Sequence, residues 1–203
     1  MRRTLYAHVV LLAAACACAG KAAYLVSPAL RTAADTRVAV LPFDNQSTDI
    51  GAPDVMRKLA ADGLGKRGYA PLPVEEVDGK LSSLGVSEGG QLPGVKPEAL
   101  GRALGVDLLV YGDVEDFTFQ NLGFLIRKLV VLRVKIVSAA TGETLYEGSG
   151  SGKDIKVFMD RDQAKAAFVE QMAVKLVQNI LKTPLKKEAE TAAGKALDSL
   201  PRR

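Results

Sequence analysis

Tryptophan is absent from the 203-residue chain, histidine occurs once, cysteine twice, and aromatic residues make up 5% of the whole. Each shortage closes off a class of function. Bases and sugars are gripped by stacking on aromatic rings, and a chain this poor in them offers no such platform. His8, Cys16 and Cys18 all fall within the first 18 residues, so the rest has no Ser-His-Asp triad, no Cys-His pair and no His-ligated metal. No apolar run approaches the roughly 20 residues that a membrane-spanning helix needs. The formal charge of +4 includes Arg2 and Arg3 and drops to +2 without them, too small and too interspersed to argue for nucleic acid.

What is present begins with LLAAACACAG at residues 11–20. A soft-metal site wants three or four ligands on a folded frame, and only Cys16, Cys18 and the neighbouring His8 are on offer. A Cys16–Cys18 disulfide would close a very small, strained ring. The surroundings fit a third use. Met1-Arg2-Arg3, an apolar core from Leu5 to Ala15 and then small residues make the three-part layout of an export signal. Small residues directly before a cysteine resemble a bacterial lipobox, although Ala13 or Ala15 stands where Leu, Val or Ile is preferred. Cys16, which directly follows the apolar run, is the favoured lipidation site and Cys18 the alternative. A plain signal peptide cut at Ala15-Cys16-Ala17 or Ala17-Cys18-Ala19 is the competing reading. Lipidation fits better, because free thiols are a liability in an oxidising compartment.

The expected organisation is a lipoprotein signal over 1–18, a linker over 19–36, one α/β periplasmic domain over 37–182 and, over 183–203, a polar tail with a weaker helical pattern, either mobile or ordered by a partner. Arg37 to Phe43 (RVAVLPF) reads as a buried strand stopped by Pro42. Pro53, Met56, Leu59, Ala60, Gly63 and Leu64 have the spacing of an amphipathic helix ending near Gly65 to Gly68. Tyr69 to Val74 is proline-interrupted and belongs at a sheet edge. A short helix over 75–85, a Gly-rich loop over 85–95, a helix from Pro97 to Leu104 capped by Gly105, and a strand from Val106 to Val114 complete a β-α-β-α-β order. Leu129 to Val137 alternates apolar and charged residues, and Thr141-Gly142 turns it into a hairpin partner at Glu143 to Gly148. Val169, Met172, Ala173, Leu176, Val177 and Ile180 trace a helix stripe expected to pack on the sheet. The fold class is therefore α/β: a single layered domain with a mixed sheet, a βαβ first half, and an antiparallel hairpin plus C-terminal helix in the second.

Three stretches are candidates for chemistry or binding. Asp113, Glu115 and Asp116, with Asp44 and Asp49 after the first strand, lie at strand ends where α/β sheets bind ligands. Alternation around Val114 makes them more simply the wet face of a half-buried strand. Gly148 to Lys153 (GSGSGK) lacks the first glycine and the Ser/Thr of a phosphate loop, and reads as a flexible strand exit. Phe117, Phe119 and Phe124 sit in an apolar stretch over 117–126 that is either a partner surface or the extension of two strands with their aromatics in the core. No metal and no cofactor is expected.

Together, the lipobox-like start, RVAVLPFDNQS, ALGRALGVDLLVYGDV and LRVKIVSAATGETLYEGSGSG resemble an uncharacterised family of bacterial periplasmic lipoproteins. That family shares an α/β domain with the curli-secretion lipoprotein, the amino-terminal domain of the Tol-Pal propeller protein and the lipoprotein activators of peptidoglycan synthases. The likeness covers nearly the whole chain after the signal. It implies a non-enzymatic protein, lipid-anchored in the outer membrane and facing the periplasm, that serves an envelope complex as an interaction or assembly module with an envelope protein partner, as a homo-oligomer, and without nucleic acid. The alternative expectation is a carboxylate-dependent hydrolase or divalent-cation-binding protein using Asp113, Glu115 and Asp116. A solute receptor would need two lobes and an aromatic-lined pocket.

Overall fold

The computed structural model describes residues 24–32, 37–122, 124–157, 165–166, 169–170 and 185–203. In chain order these form β1 (Leu25–Val26), α1 (Pro28–Thr32), β2 (Arg37–Val40), β3 (Asp44–Asn45), α2 (Ala52–Gly65), β4 (Ala70–Pro71), α3 (Val74–Ser82), a 3-10 turn (Gly89–Gly94), α4 (Pro97–Leu104), β5 (Leu108–Asn121), β6 (Leu125–Ser138), β7 (Thr144–Val157) and α5 (Lys186–Ala196). The sheet order is β1-β7-β6-β5-β2-β4, with β3 added beside β5. β2 pairs in parallel with both β4 and β5, whereas β5, β6 and β7 run antiparallel. The expected mixed α/β sheet is therefore observed, with the proline-bearing strand at its edge.

Local signals account for the helices. Proline occupies the first turn of α2, and Ala52, Met56, Ala60 and Leu64 recur every four residues as its buried stripe. α4 also starts at a proline and stops at Gly105, whose φ of 70° is a left-handed conformation that glycine adopts without strain. Helices α2 and α5 cover one face of the sheet with a core that includes Val40, Val110, Val114, Leu132, Val134, Ile136 and Tyr146. On the other face α3 and α4 bury Ala39, Leu41 and Leu109 under Val77, Leu81, Leu100 and Leu104. Burying a Leu-sized side chain stabilises by roughly 1.5–3 kcal/mol, so two such layers hold β2 and the lower half of β5 from both sides.

Three expectations need correction. The stretch read as a linker is partly structural: β1 pairs with Tyr146 and Glu147 of β7, and Leu30 is completely buried. The GSGSGK segment is no flexible exit but the middle of β7, whose hydrogen-bonded register with β6 runs on to Leu125↔Val157. The tail read as polar, and as mobile or ordered by a partner, contains α5, and Leu185, Ala189, Ala192, Ala193, Ala196, Leu197 and Leu200 are buried. The cause is the same for the last two. Gly148, Gly150 and Gly152 face one way along β7, and a Cβ on any of them would overlap the α5 main chain or the Tyr146 ring. Removing three side chains from one strand face lets an alanine-faced helix settle almost backbone to backbone. Of the stripe expected from 169 to 180, Val169 is helical and exposed, while Met172, Ala173, Leu176, Val177 and Ile180 lie outside the described residues.

Candidate functional site

The second half of the chain builds a meander of three 14-residue strands, β5, β6 and β7. At about 3.3 Å per residue each is some 46 Å long, more than the α3–α4 layer covers. The upper part of one sheet face is therefore open. Register places Tyr111 beside Lys135, Asp113 beside Arg133, and Lys135 beside Glu147 on that face. These charges neutralise one another locally. Glu115 and Arg133 form a 2.6 Å ion pair, Asp116 lies 3.6 Å from Arg127 and accepts a bond from the Thr118 hydroxyl, and the Lys135 ammonium stands 5.3 Å from the centre of the Tyr111 ring.

The carboxylate candidates do not converge. Asp113 lies in register with Asp44 of β3; burial raises its pKa above the ordinary aspartate value, and Asp44 adds to the rise. Glu115 sits at a register shift between Val114 and Asp116, a bulge that brings Val114 and Phe117, three residues apart, onto the same core-facing side. Among the described residues no group of three or more His, Cys, Asp or Glu side chains is arranged to hold a metal ion. A 340 Å³ groove borders this region, lined in part by Pro42, Asp44, Pro93, Tyr111, Asp113 and Lys135.

The three phenylalanines separate. Phe117 is 3% exposed within the core, Phe119 packs partly buried against it, and Phe124 is 62% exposed at the β5–β6 turn. Phe124 is the most exposed of the three. Nearby, Leu122, Ile155 and Val157 are also exposed. Sequence reading missed Ile155 and Val157 because it ended the last strand at Gly148. Cys16 and Cys18 lie outside the described residues.

The family profile of GNA1162-like lipoproteins matches residues 26–201. The chain belongs to that family. The GNA1162-like family's own lipoprotein GNA1162 from Neisseria meningitidis is 23% identical, with 68% of this chain and 98% of that one aligned at a TM-score of 0.56. The PelC dodecamer from Paraburkholderia phytofirmans is 13% identical, covering 91% and 100% of the two chains, also at 0.56. At these identities the likenesses establish the fold. No curated protein matches the chain in sequence. The resemblance read from RVAVLPFDNQS and the later motifs is thus borne out, and as a GNA1162-like protein the chain has no helix, among the described residues, long and apolar enough to cross a membrane.

Proposed function

We propose that this GNA1162-like lipoprotein is acylated at Cys16, or else at Cys18, held at the outer membrane facing the periplasm, and works there without catalysis as an interaction or assembly module of an envelope complex. The observation that carries the reading is the placement of both cysteines: they end an export-type signal just upstream of the matched segment, which starts at residue 26. The non-catalytic part is supported by the dispersal of Asp113, Glu115 and Asp116, two of which are engaged by arginines. Homo-oligomerisation is supported by the shared fold of PelC, which forms a dodecamer. The open charged face of β5–β7 is the surface offered to another copy or to an envelope protein.

Two measurements test this. Metabolic acyl labelling is expected to be lost on replacing the lipidated cysteine by serine; label retained in the Cys16→Ser, Cys18→Ser double variant would remove the anchor. The native mass of the detergent-extracted, in-cell crosslinked protein is expected to correspond to a closed set of copies, alone or with an envelope protein. A free monomer without partners would remove the assembly role.

A further inference from the structure

The far end of the meander, where the β5–β6 turn meets the end of β7, combines an exposed apolar cluster with a cationic rim. Leu122, Phe124, Ile155 and Val157 are 59%, 62%, 56% and 61% exposed, and Leu125 lies directly opposite Val157. Four of the nine large exposed apolar side chains of the described residues are gathered here. Around them, in the rungs from Leu125↔Val157 to Leu129↔Lys153, stand four cations, Arg127, Lys128, Lys153 and Lys156, against one carboxylate, Asp154. Arg127 also reaches Asp116, one step further down. An apolar patch rimmed by lysine and arginine matches the boundary of an anionic bilayer, where apolar side chains enter the acyl region and long cationic stems leave their heads among the phosphates.

A protein partner would need acidic rather than neutral complementarity here, and two acids of the open face, Glu115 and Asp116, are already engaged by arginines of the same chain. The direction of β1 gives a separate argument. β1 runs antiparallel to β7, with Val26 beside Tyr146 and Leu25 beside Glu147, so the chain traced back from Leu25 heads along β7 toward Val157. Seven residues separate Leu25 from Cys18 and nine separate it from Cys16, an extended length of about 23–30 Å. The eight rungs from Glu147 to Ile155 span about 26 Å. Fully extended along that line, the intervening chain is long enough for an acylated cysteine to reach the plane of the meander tip.

We propose that the tip formed by Leu122, Phe124, Leu125, Ile155 and Val157, with its lysine and arginine rim, docks on an anionic lipid surface and sets the domain's orientation on the membrane. The tether argument rests on the lipid-anchored reading; the composition of the tip does not.

The test uses the full chain with Cys16→Ser and Cys18→Ser, so that no acyl group contributes, and vesicles of phosphatidylcholine with or without a quarter of phosphatidylglycerol. Phe124→Ser with Ile155→Ser is expected to lower co-flotation with the anionic vesicles about tenfold. Lys153→Glu with Lys156→Glu is expected to do the same on anionic vesicles and leave neutral ones unchanged. The lysine pair is exposed, so this second variant reports on binding even where the apolar one folds poorly. Equal partition of all three chains overturns the proposal, as does a tip change that lowers the oligomer mass while leaving flotation intact, which would make the tip a contact between copies. Acyl labelling of the unaltered chain in cells separates the two ideas: tip-dependent flotation without label keeps the tip and removes the anchor, and label with tip-independent flotation does the reverse.

Discussion

Arg57 shows how a charge is made tolerable inside this core. Its Nε and Nη2 donate to the Val40 carbonyl at 3.0 and 2.8 Å, and Nη1 meets Asp78 at 2.7 Å. One side chain thus joins α2, the end of β2 and α3. Removing it strands a buried carbonyl and leaves Asp78 without its cation, and Arg57→Met is expected to cost about 2–4 kcal/mol in a denaturant melt. Arg57→Lys recovers only part, because an ammonium cannot reproduce the three-pronged geometry. Tyr146 is the second case. Its hydroxyl donates to the Ala196 carbonyl at 2.6 Å, and burial pushes its pKa up to about 12. A phenol whose folded pKa lies above its unfolded value of about 10 contributes stability that is intact below pH ~10 and is lost as the pH rises through ~12. The melting temperature is therefore expected to fall steeply above pH 10, and Tyr146→Phe to flatten that part of the profile. Asp113 works in the opposite sense at neutral pH. Its raised pKa means the folded state disfavours its charge, so Asp113→Asn is expected to stabilise at pH 7, with the gain vanishing once the pH falls below the carboxylate range.

At the level of elements, what was legible in the sequence followed periodicity and punctuation. α2 and α4 carry prolines in the first turn and an apolar stripe, and β2 is a short continuous apolar run; each falls within a few residues of its expected place. The meander was read too short for a physical reason. Gly, Ser and Lys have weak strand propensity, and nothing within GSGSGK states that a helix 35 residues later will lie across it. α5 was hidden in the same way, since its buried side is made of alanines and Glu188 and its remaining positions are Lys, Glu, Thr and Gly, a pattern that local hydropathy scores as a solvated tail. The two segments explain each other only as a pair. Gly150→Val is accordingly expected to be among the most damaging single changes outside the aliphatic core, costing on the order of 3 kcal/mol, because overpacking must push α5 off the sheet. Ser149→Val, one residue away on the opposite face, is expected to be near neutral; thermal melts of the two side by side check the assignment of faces. Site legibility ran the same course: Phe124 was named, but Ile155 and Val157, which complete its patch, lay beyond the point where the last strand was ended.

For the whole molecule, the C-terminus acts as a clasp rather than an appendage. The Arg203 amide donates to the Arg67 carbonyl at 2.8 Å, and its guanidinium donates to Leu30 in the N-terminal segment at 2.6 Å and lies 5.1 Å from the centre of the Tyr69 ring. Arg67 donates in turn to Leu200, and the Tyr69 hydroxyl to Pro201. Lys195 caps the Ser151 carbonyl of β7, which places a cation at a strand edge that would otherwise invite pairing with another chain. Two truncations distinguish a clasp from a dispensable tail. Removing Arg202 and Arg203 takes away the ties to Leu30 and Arg67 but leaves α5 seated, so the protein is expected to fold with a melting temperature lowered by several degrees. Ending the chain at residue 184 uncovers the glycine face of β7 together with Leu132, Val134 and Tyr146, and no rearrangement of β7 can refill a surface that has no side chains of its own. The cooperative unfolding transition is expected to disappear and limited proteolysis to attack the meander. A 1–184 chain that kept a sharp transition near that of the full protein would mean that α5 contributes little to the fold, and the near-contact of its backbone with Gly148, Gly150 and Gly152 would need another explanation.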